Sequence, residues 1–153
     1  MMKIIKATKS HAKEISKWML SDLENPSPKF PKEMIEKFRK HAEEKGILME
    51  FENPRLIAFV AVDKNKVAGF IVGYEEDSSK AMIHYVTAKQ YEMKEKLLNI
   101  FIKECKLKNM NKIITDAFEF RDNNEFFKSM GFIFTRKEPI AKDLEMLWYE
   151  MRI

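Results

Sequence analysis

Glycine, cysteine and arginine are all scarce in this 153-residue chain, and each shortage excludes a class of protein. The four glycines lack the spacing of the glycine-rich phosphate loops in Walker and Rossmann proteins. One cysteine excludes a disulfide framework, and the three histidines lie far apart, so we expect no metal site. Only 5 arginines accompany 23 scattered lysines, so we expect no nucleic-acid partner despite the net charge of +4.

Long apolar segments are also missing. The longest apolar run, Leu56 to Val62, has seven residues, whereas a membrane-spanning helix needs roughly 20. Lys3 and Lys6 interrupt the apolar N-terminal patch, which argues against a signal-peptide core. We therefore expect no membrane partner and a cytoplasmic location. Apolar residues at 45% and charged residues at 34% predict one folded domain over residues 1–153.

The hydrophobic periodicity predicts strands and helices in a definite order. Strands are expected at Lys3–Ala7, Leu56–Val62, Val67–Tyr74, Ala81–Val86, Lys112–Phe118, Phe132–Arg136 and Glu145–Ile153. Helices are expected after Thr8 or Ser10, from Pro31 to Gly46, from Met93 to Lys108 and from Asn123 to Met130.

Several turn residues sharpen this prediction. Gly69 and Gly73 lie inside a strand pattern and indicate a bulge or a close backbone approach. Asn109 is a candidate for the left-handed residue after the long helix, and Gly131 closes the last helix. We expect Pro139 to lie in a turn.

The element order predicts the fold class. Consecutive hairpins require antiparallel pairing, and a strand–helix–strand crossover through the long helix requires one parallel pair. We therefore predict an α/β (α+β) fold with a mixed, mostly antiparallel, twisted sheet of six to seven strands and about four helices.

Three segments give the chain its resemblance to a known family. The first is Asp63 to Gly73, a charged turn that leads into a Val-x-Gly-Phe strand. The second consists of Val86, Leu97-Leu98 and Lys112-Ile113, which are spaced as a central strand, a helix and a following strand. The third is the late helix segment Asn123-Asn-Glu-Phe-Phe-Lys-Ser-Met-Gly-Phe132. In order and spacing they resemble the GNAT superfamily of acyl-CoA N-acyltransferases, over essentially the whole chain.

The resemblance implies acetyl-CoA as cosubstrate and an amine of a small molecule or protein as acceptor. In the family the cofactor diphosphate lies at the start of the helix after the central strand, where unpaired amides attract anions. The matching positions here are Tyr85, Val86, Lys89, Gln90, Tyr91, Glu92, Met93, Lys94, Asn123 and Phe127.

Two departures from the family pattern affect this site. Glu92 and Lys94 occupy the positions of the two loop glycines, although Lys89, Lys94 and Lys96 supply positive charge. Phe127 stands where the family often has a proton-donating tyrosine, and phenylalanine has no such proton. Water, Tyr85 or Tyr91 could replace that acid, or both tyrosines could simply be packing residues.

The candidates for a general base are His84 and a group of carboxylates: Glu50, Glu52 and Glu75. His84 lies two residues before Val86, so we expect the two side chains to share a sheet face. Histidine titrates near neutral pH, which suits catalysis there. A structural role for His84 is the alternative.

Two functions from different classes are therefore open. The first is an acetyl-CoA-dependent N-acetyltransferase. The second is a catalytically degenerate GNAT-fold module that binds a ligand or protein partner, which the lost glycines and Phe127 favour. Whether the protein forms a homodimer is also open.

Overall fold

The computed structural model describes residues 2–153, which form one seven-stranded sheet with helices on both faces. The strands are β1 (Met2–Lys6), β2 (Leu56–Asp63), β3 (Lys66–Glu75), β4 (Lys80–Ala88), β5 (Lys112–Phe118), β6 (Ile133–Ala141) and β7 (Leu144–Arg152). The helices are α1 (Ala12–Asp22), α2 (Lys32–Ala42), α3 (Glu44–Glu50), α4 (Tyr91–Leu107) and α5 (Asn123–Ser129), with a short 3₁₀ turn at Lys9–His11. The predicted fold class is confirmed, with one helix more than expected.

The strands lie in the order β1-β2-β3-β4-β5-β7-β6. Every neighbouring pair is antiparallel except β4 and β5, which are parallel. Helix α4 provides the crossover connection that a parallel pair requires. The mixed sheet predicted from the element order is therefore confirmed, including the location of its one parallel pair.

A β-bulge in β4 decides where this parallel pair ends. Val72 of β3 pairs with Tyr85 and Gly73 pairs with Ile83, so His84 is an extra residue in β4. Pairing between β4 and β5 stops at Ile83 and Thr115, although both strands continue. Because a bulge bends its strand and increases the local twist, it turns β4 away from β5 beyond this point.

The two faces of the sheet carry separate cores. Helices α4 and α5 cover one face, which we call the α4 face; its core includes Ile83, Val86, Leu97, Phe101, Phe127 and Tyr149. Helices α1 and α3 cover the other face, which we call the α1 face; its core includes Ile15, Ile47, Val60, Phe70 and Val72. The strand alternation therefore sorts side chains to two layers of helices.

Two predictions about helix and turn ends are wrong. Gly46 does not end the second helix; α2 ends at Ala42, and Gly46 lies inside α3. A Cβ at Gly46 would lie 2.5 Å from the Lys40 carbonyl oxygen, so the glycine permits close packing of α3 against the end of α2. Pro139 lies in β6 rather than in a turn, at a register shift on an edge strand, where its missing N–H costs no ladder bond.

Other local predictions are confirmed. A Cβ on Gly73 would lie 2.2 Å from the Met82 carbonyl oxygen, and one on Gly69 would lie 2.7 Å from the Ala88 Cβ. Both glycines also lie beside register shifts. Asn109 has a φ of 62° and Gly131 a φ of 96°, which are the left-handed conformations expected after α4 and α5.

Candidate functional site

A cavity of about 320 Å³ lies where β4 and β5 separate. The last link between the two strands before the gap is the Thr115 hydroxyl, which donates to the Ile83 carbonyl oxygen at 3.2 Å. The lining comes from both faces of the sheet: Asp22, His84, Tyr85, Val86, Thr87, Lys94, Asp116, Ala117, Phe118, Arg121, Asp122, Asn123 and Met146. We call this cavity the interstrand groove.

Asp116 is the most perturbed acid of the interstrand groove. Strand β5 places it opposite Trp148 of β7, between the buried residues Thr115 and Ala117. Burial raises the pKa of its carboxyl group from 3.8 to about 6, and the charge of nearby His84 only partly opposes this. Asp116 thus combines a carboxyl group that titrates close to neutral pH with a position in a cavity. Such a group is a candidate general base.

His84 lies beside Asp116 on the α1 face. Its Nδ1 lies 3.9 Å from Glu50 Oε1, and its ring meets the Tyr74 ring edge-on at 6.3 Å. The prediction that His84 and Val86 share a face is wrong, because Val86 packs in the core of the α4 face. The bulge at His84 inserts one residue and reverses the alternation that the sequence pattern assumes.

The other predicted carboxylate bases lie elsewhere. Glu52 forms an ion pair with Lys9 at 2.5 Å, and Glu75 lies 3.8 Å from Lys108. Neither residue lines the interstrand groove. Only Glu50 of the three predicted carboxylates lies close to His84, and it lines a small neighbouring cavity together with His84 and Tyr85.

Tyr85 contributes a hydroxyl group with no partner. Its ring stacks on Phe70 with centroids 5.3 Å apart, and the residue lines the interstrand groove. The hydroxyl oxygen is buried and forms no hydrogen bond in the structure. An unsatisfied buried hydroxyl is costly, so this group is available to hydrogen-bond a bound molecule.

At the α4 face the groove is bordered by Lys94 and Asn123. The Lys94 ammonium donates a hydrogen bond to Asn123 Oδ1 and lies 4.5 Å from the centroid of the Phe126 ring. Burial lowers the pKa of Lys94, and the negative charge of Asp122 opposes that shift. Asn123 is the first residue of α5, preceded by Asp122 at the N-cap position, so its amide oxygen is free to hold the ammonium.

Helix α4 begins with unpaired amides, as every helix does. The amides of Met93 and Lys94 both donate to the Gln90 carbonyl oxygen, at 3.1 and 3.2 Å. The amides of Tyr91 and Glu92 precede these and have no carbonyl acceptor within the helix. The Glu92 side chain is exposed and does not line the interstrand groove.

The remaining predicted site residues do not border the groove. Lys89, Gln90 and Met93 line a separate cavity of about 280 Å³, next to the β2–β3 turn. Tyr91 is exposed, and its hydroxyl shares a hydrogen bond of 2.8 Å with Ser129 Oγ. Phe127 is buried against other aromatic rings of the α4 face, because an apolar ring is more stable in the core than in a polar opening.

The structure thus brings together four of the ten positions that the resemblance implied, together with His84, and adds three acids and a base that sequence reasoning missed. His84, Tyr85, Val86, Lys94 and Asn123 meet at the interstrand groove. The missed residues are Asp22, Asp116, Arg121 and Asp122. For Asp116 a signal existed, since it is the one charged residue inside the strand pattern of Ile113–Phe118. Asp22 ends α1, and Arg121 and Asp122 lie in the loop before α5, so their approach to the groove depends on the tertiary structure.

The shape and the polar groups of the interstrand groove suit an elongated thioester with an anionic end. It opens to both faces of the sheet, so one molecule can reach from α4 to Asp116. The Tyr85 hydroxyl has no protein partner. Within residues 2–153, no ion pair joins the Lys94 ammonium to a carboxylate. These groups fit a ligand with an anionic end and a polar reactive end.

Two negative findings concern other kinds of site. Within residues 2–153, no group of three or more His, Cys, Asp or Glu side chains is placed to hold a metal ion. Over the same residues, no helix has both the length and the apolar character needed to cross a membrane.

Comparison with known proteins identifies the fold. No protein-family model and no curated protein matches the chain. Solved structures do: aminoglycoside 6'-acetyltransferase type Ii has a TM-score of 0.78 at 16% identity, covering 98% of this chain and 96% of that one. A Desulfovibrio desulfuricans protein assigned to the GNAT family has a TM-score of 0.75 at 10% identity, covering 99% of both chains.

A third structure was solved with the cofactor in place. The PaiA N-acetyltransferase from Thermoplasma acidophilum, in complex with coenzyme A, has a TM-score of 0.71 at 17% identity, covering 100% of this chain and 99% of that one. The chain therefore has the fold of GNAT acetyltransferases. At such low identities the likeness shows the fold alone.

Proposed function

We propose that this protein transfers an acetyl group from acetyl-CoA to a primary amine. The observation that carries the proposal is the interstrand groove, which joins the beginning of α4 to a titratable carboxyl group through the gap between two parallel strands. The fold supports the same reaction, since neighbours with this fold include acetyltransferases solved with coenzyme A.

Acetyl-CoA supplies a thioester, whose carbonyl carbon an amine can attack. The new C–N bond forms as the C–S bond breaks, the amine loses one proton, and the departing thiolate takes one up. In this chain Asp116 is placed to accept the amine proton, since its carboxyl group is ionised above a pKa of about 6. His84 is the neighbouring group through which that proton can pass to solvent.

The charges at the groove favour a cationic acceptor. Asp22, Asp116 and Asp122 all line it, against the cations Lys94 and Arg121, and Glu50 lies 3.9 Å from His84. The charge of Arg136 also acts on Asp116. Carboxylates attract a protonated amine before it is deprotonated. The acceptor we propose is therefore a small molecule or exposed protein side chain bearing a primary amine.

A binding and turnover experiment tests this proposal. Calorimetric titration with acetyl-CoA should give saturable heat, and a panel of diamines, amino sugars and lysine peptides should release free CoA thiol. Asp116→Asn should lower kcat/KM by at least about 100-fold, as expected for loss of a general base. Asp143→Asn, in an exposed turn, is the matched control that should retain activity.

The pH profile gives a second readout. With Asp116 as base, kcat/KM should rise with pH through about 6 and flatten above it, because the ionised form is the active one. Absence of binding heat at millimolar acetyl-CoA, together with absence of thiol release for every amine, would refute the proposal.

A second candidate is a catalytically degenerate module that binds a ligand without turnover. The contact between Lys94 and Asn123 favours this module, because the two joined side chains occupy space in the groove at the α4 face. This alternative predicts saturable CoA binding, no thiol release with any amine, and no effect of Asp116→Asn on binding.

A further inference from the structure

A small cavity on the α1 face adjoins the interstrand groove. Most of its lining is apolar and comes from α1, from α3 and the residue after it, and from β2 and β3: Ile15, Met19, Ile47, Phe51, Leu56 and Val72. We call this cavity the apolar recess. Its volume is about 10 Å³. A cavity of that size holds one water molecule at most, so the recess has no room for a hydrocarbon chain.

Tyr85 lies at the boundary between the apolar recess and the groove. Tyr85 and His84 are the two residues that line both cavities. The Tyr85 ring stacks on the fully buried Phe70 ring with centroids 5.3 Å apart, which fixes its position. Met19 lines the recess from α1 and, like Tyr85, is partly buried against the core of the α1 face. One fixed ring and one flexible side chain therefore limit the size of the recess.

The recess adjoins the place where the acyl group of the donor would react. Under the proposed function the thioester carbonyl carbon lies near Asp116 and His84, because Asp116 accepts the proton of the attacking amine. A longer acyl chain extends from that carbon, and the recess is the neighbouring cavity that shares His84 with the groove.

The lining favours the acyl chain over the acceptor as the group that would enter the recess. A protonated amine loses hydration when it enters an apolar cavity, whereas a hydrocarbon chain is stabilised there. Glu50 is the acid of this lining, and its Oε1 lies 3.9 Å from His84 Nδ1.

We propose that Tyr85 and Met19 restrict the acyl donor to acetyl-CoA, because they leave the apolar recess too small for the additional carbon atoms of a longer acyl chain. This inference rests on the proposed function and names the residues that determine its donor specificity. A single methylene group in an apolar pocket changes discrimination by about 10–200-fold. Butyryl-CoA, which has two more carbon atoms than acetyl-CoA, should therefore bind at least about 10-fold more weakly.

Calorimetric titration with acetyl-CoA and butyryl-CoA measures this preference without an acceptor. Met19→Ala and Tyr85→Ala enlarge the recess, so each should bind butyryl-CoA at least about 10-fold more tightly than the parent does. Tyr85→Phe keeps the ring and should keep the preference for acetyl-CoA. Met49→Ala is the matched control, because Met49 is 67% exposed on α3 and lines neither cavity. Far-ultraviolet circular dichroism verifies folding, and the partly exposed Met19 carries the test if Tyr85→Ala does not fold.

The outcomes separate this inference from the proposed function. If the parent does not bind acetyl-CoA, both fail. If the parent releases thiol with an amine but binds acetyl-CoA and butyryl-CoA equally well, only this inference fails. A folded Met19→Ala variant that keeps the parent's preference would overturn the inference, because the recess would then not set the acyl length. Loss of the preference in Tyr85→Phe would also overturn it, since the hydroxyl rather than the ring would then discriminate.

Discussion

The substitution Asp116→Asn measures how much the buried, ionised Asp116 lowers the free energy of unfolding. Burial raises the pKa of this carboxyl group from 3.8 to about 6. Each pH unit between the two values corresponds to about 1.4 kcal/mol, so ionising Asp116 at pH 7 costs the folded protein about 3 kcal/mol. An amide does not ionise. We therefore expect Asp116→Asn to unfold with a free energy up to about 3 kcal/mol higher than the parent at pH 7.

The pH dependence gives the sign of the effect. Below pH 3.8 the carboxyl group is protonated in both the folded and the unfolded chain, so the two proteins should differ little. As pH rises from 3.8 to about 6, the unfolded chain ionises before the folded one, and the parent loses stability that the variant keeps. Above about 6 the difference should be constant.

Urea unfolding at pH 4, 5, 6, 7 and 8 measures this difference directly. Asp143→Asn is the matched control, because Asp143 lies in an exposed turn and is solvated in either state. A variant less stable than the parent at pH 7, or a gain of equal size at pH 4 and pH 7, would refute the reasoning. A stabilised but inactive variant would indicate a site residue retained at the expense of stability.

Three further substitutions test other parts of the structure. Tyr85→Phe removes a buried hydroxyl without a partner, so it should raise the free energy of unfolding by about 1 kcal/mol while lowering turnover. Tyr91→Phe is the contrasting variant, because it removes a hydroxyl that shares a hydrogen bond with Ser129 and should therefore bring no gain in stability. A destabilised Tyr85→Phe would contradict the absence of a partner. Gly73→Ala should destabilise the fold by about 1–3 kcal/mol in urea unfolding, since its Cβ would lie 2.2 Å from the Met82 carbonyl oxygen. A variant as stable as the parent would show that β3 and β4 separate easily. Phe127→Tyr should lower the midpoint of thermal unfolding, because the new hydroxyl enters an apolar core, and it should not raise thiol release. A gain in activity would mean that this position reaches the leaving sulfur.

The departures from the family pattern have different structural consequences. Glu92, at the first of the two glycine positions, is exposed and lies outside the interstrand groove. Lys94 does enter the groove, and its ammonium reaches Asn123. Phe127 is a core residue, which leaves the Tyr85 hydroxyl as the groove's candidate donor from a tyrosine.

Local sequence patterns determined the order and type of nearly every element. Strand alternation, the apolar stripe of α4 and the turn residues Asn109 and Gly131 act over a few residues, so they are visible without the fold. Gly69 and Gly73 even indicated where β3 approaches its neighbours closely. The prediction that Gly46 ends a helix fails, because this glycine lies inside α3 and permits the close approach of α2.

The site depended on contacts between distant segments. Sequence alone supplied Tyr85, Val86, Lys94 and Asn123 as candidates through a resemblance of order and spacing. It supplied His84 through its residue type and its position two residues before Val86. Only the tertiary structure decided that the bulge puts His84 and Val86 on opposite faces, that burial makes Asp116 a weak acid, and that the Lys94 ammonium lies in a gap between strands. The physical reason is that a side chain's direction follows the register of its strand, and its charge state follows its burial, and both are set by residues far away in the chain.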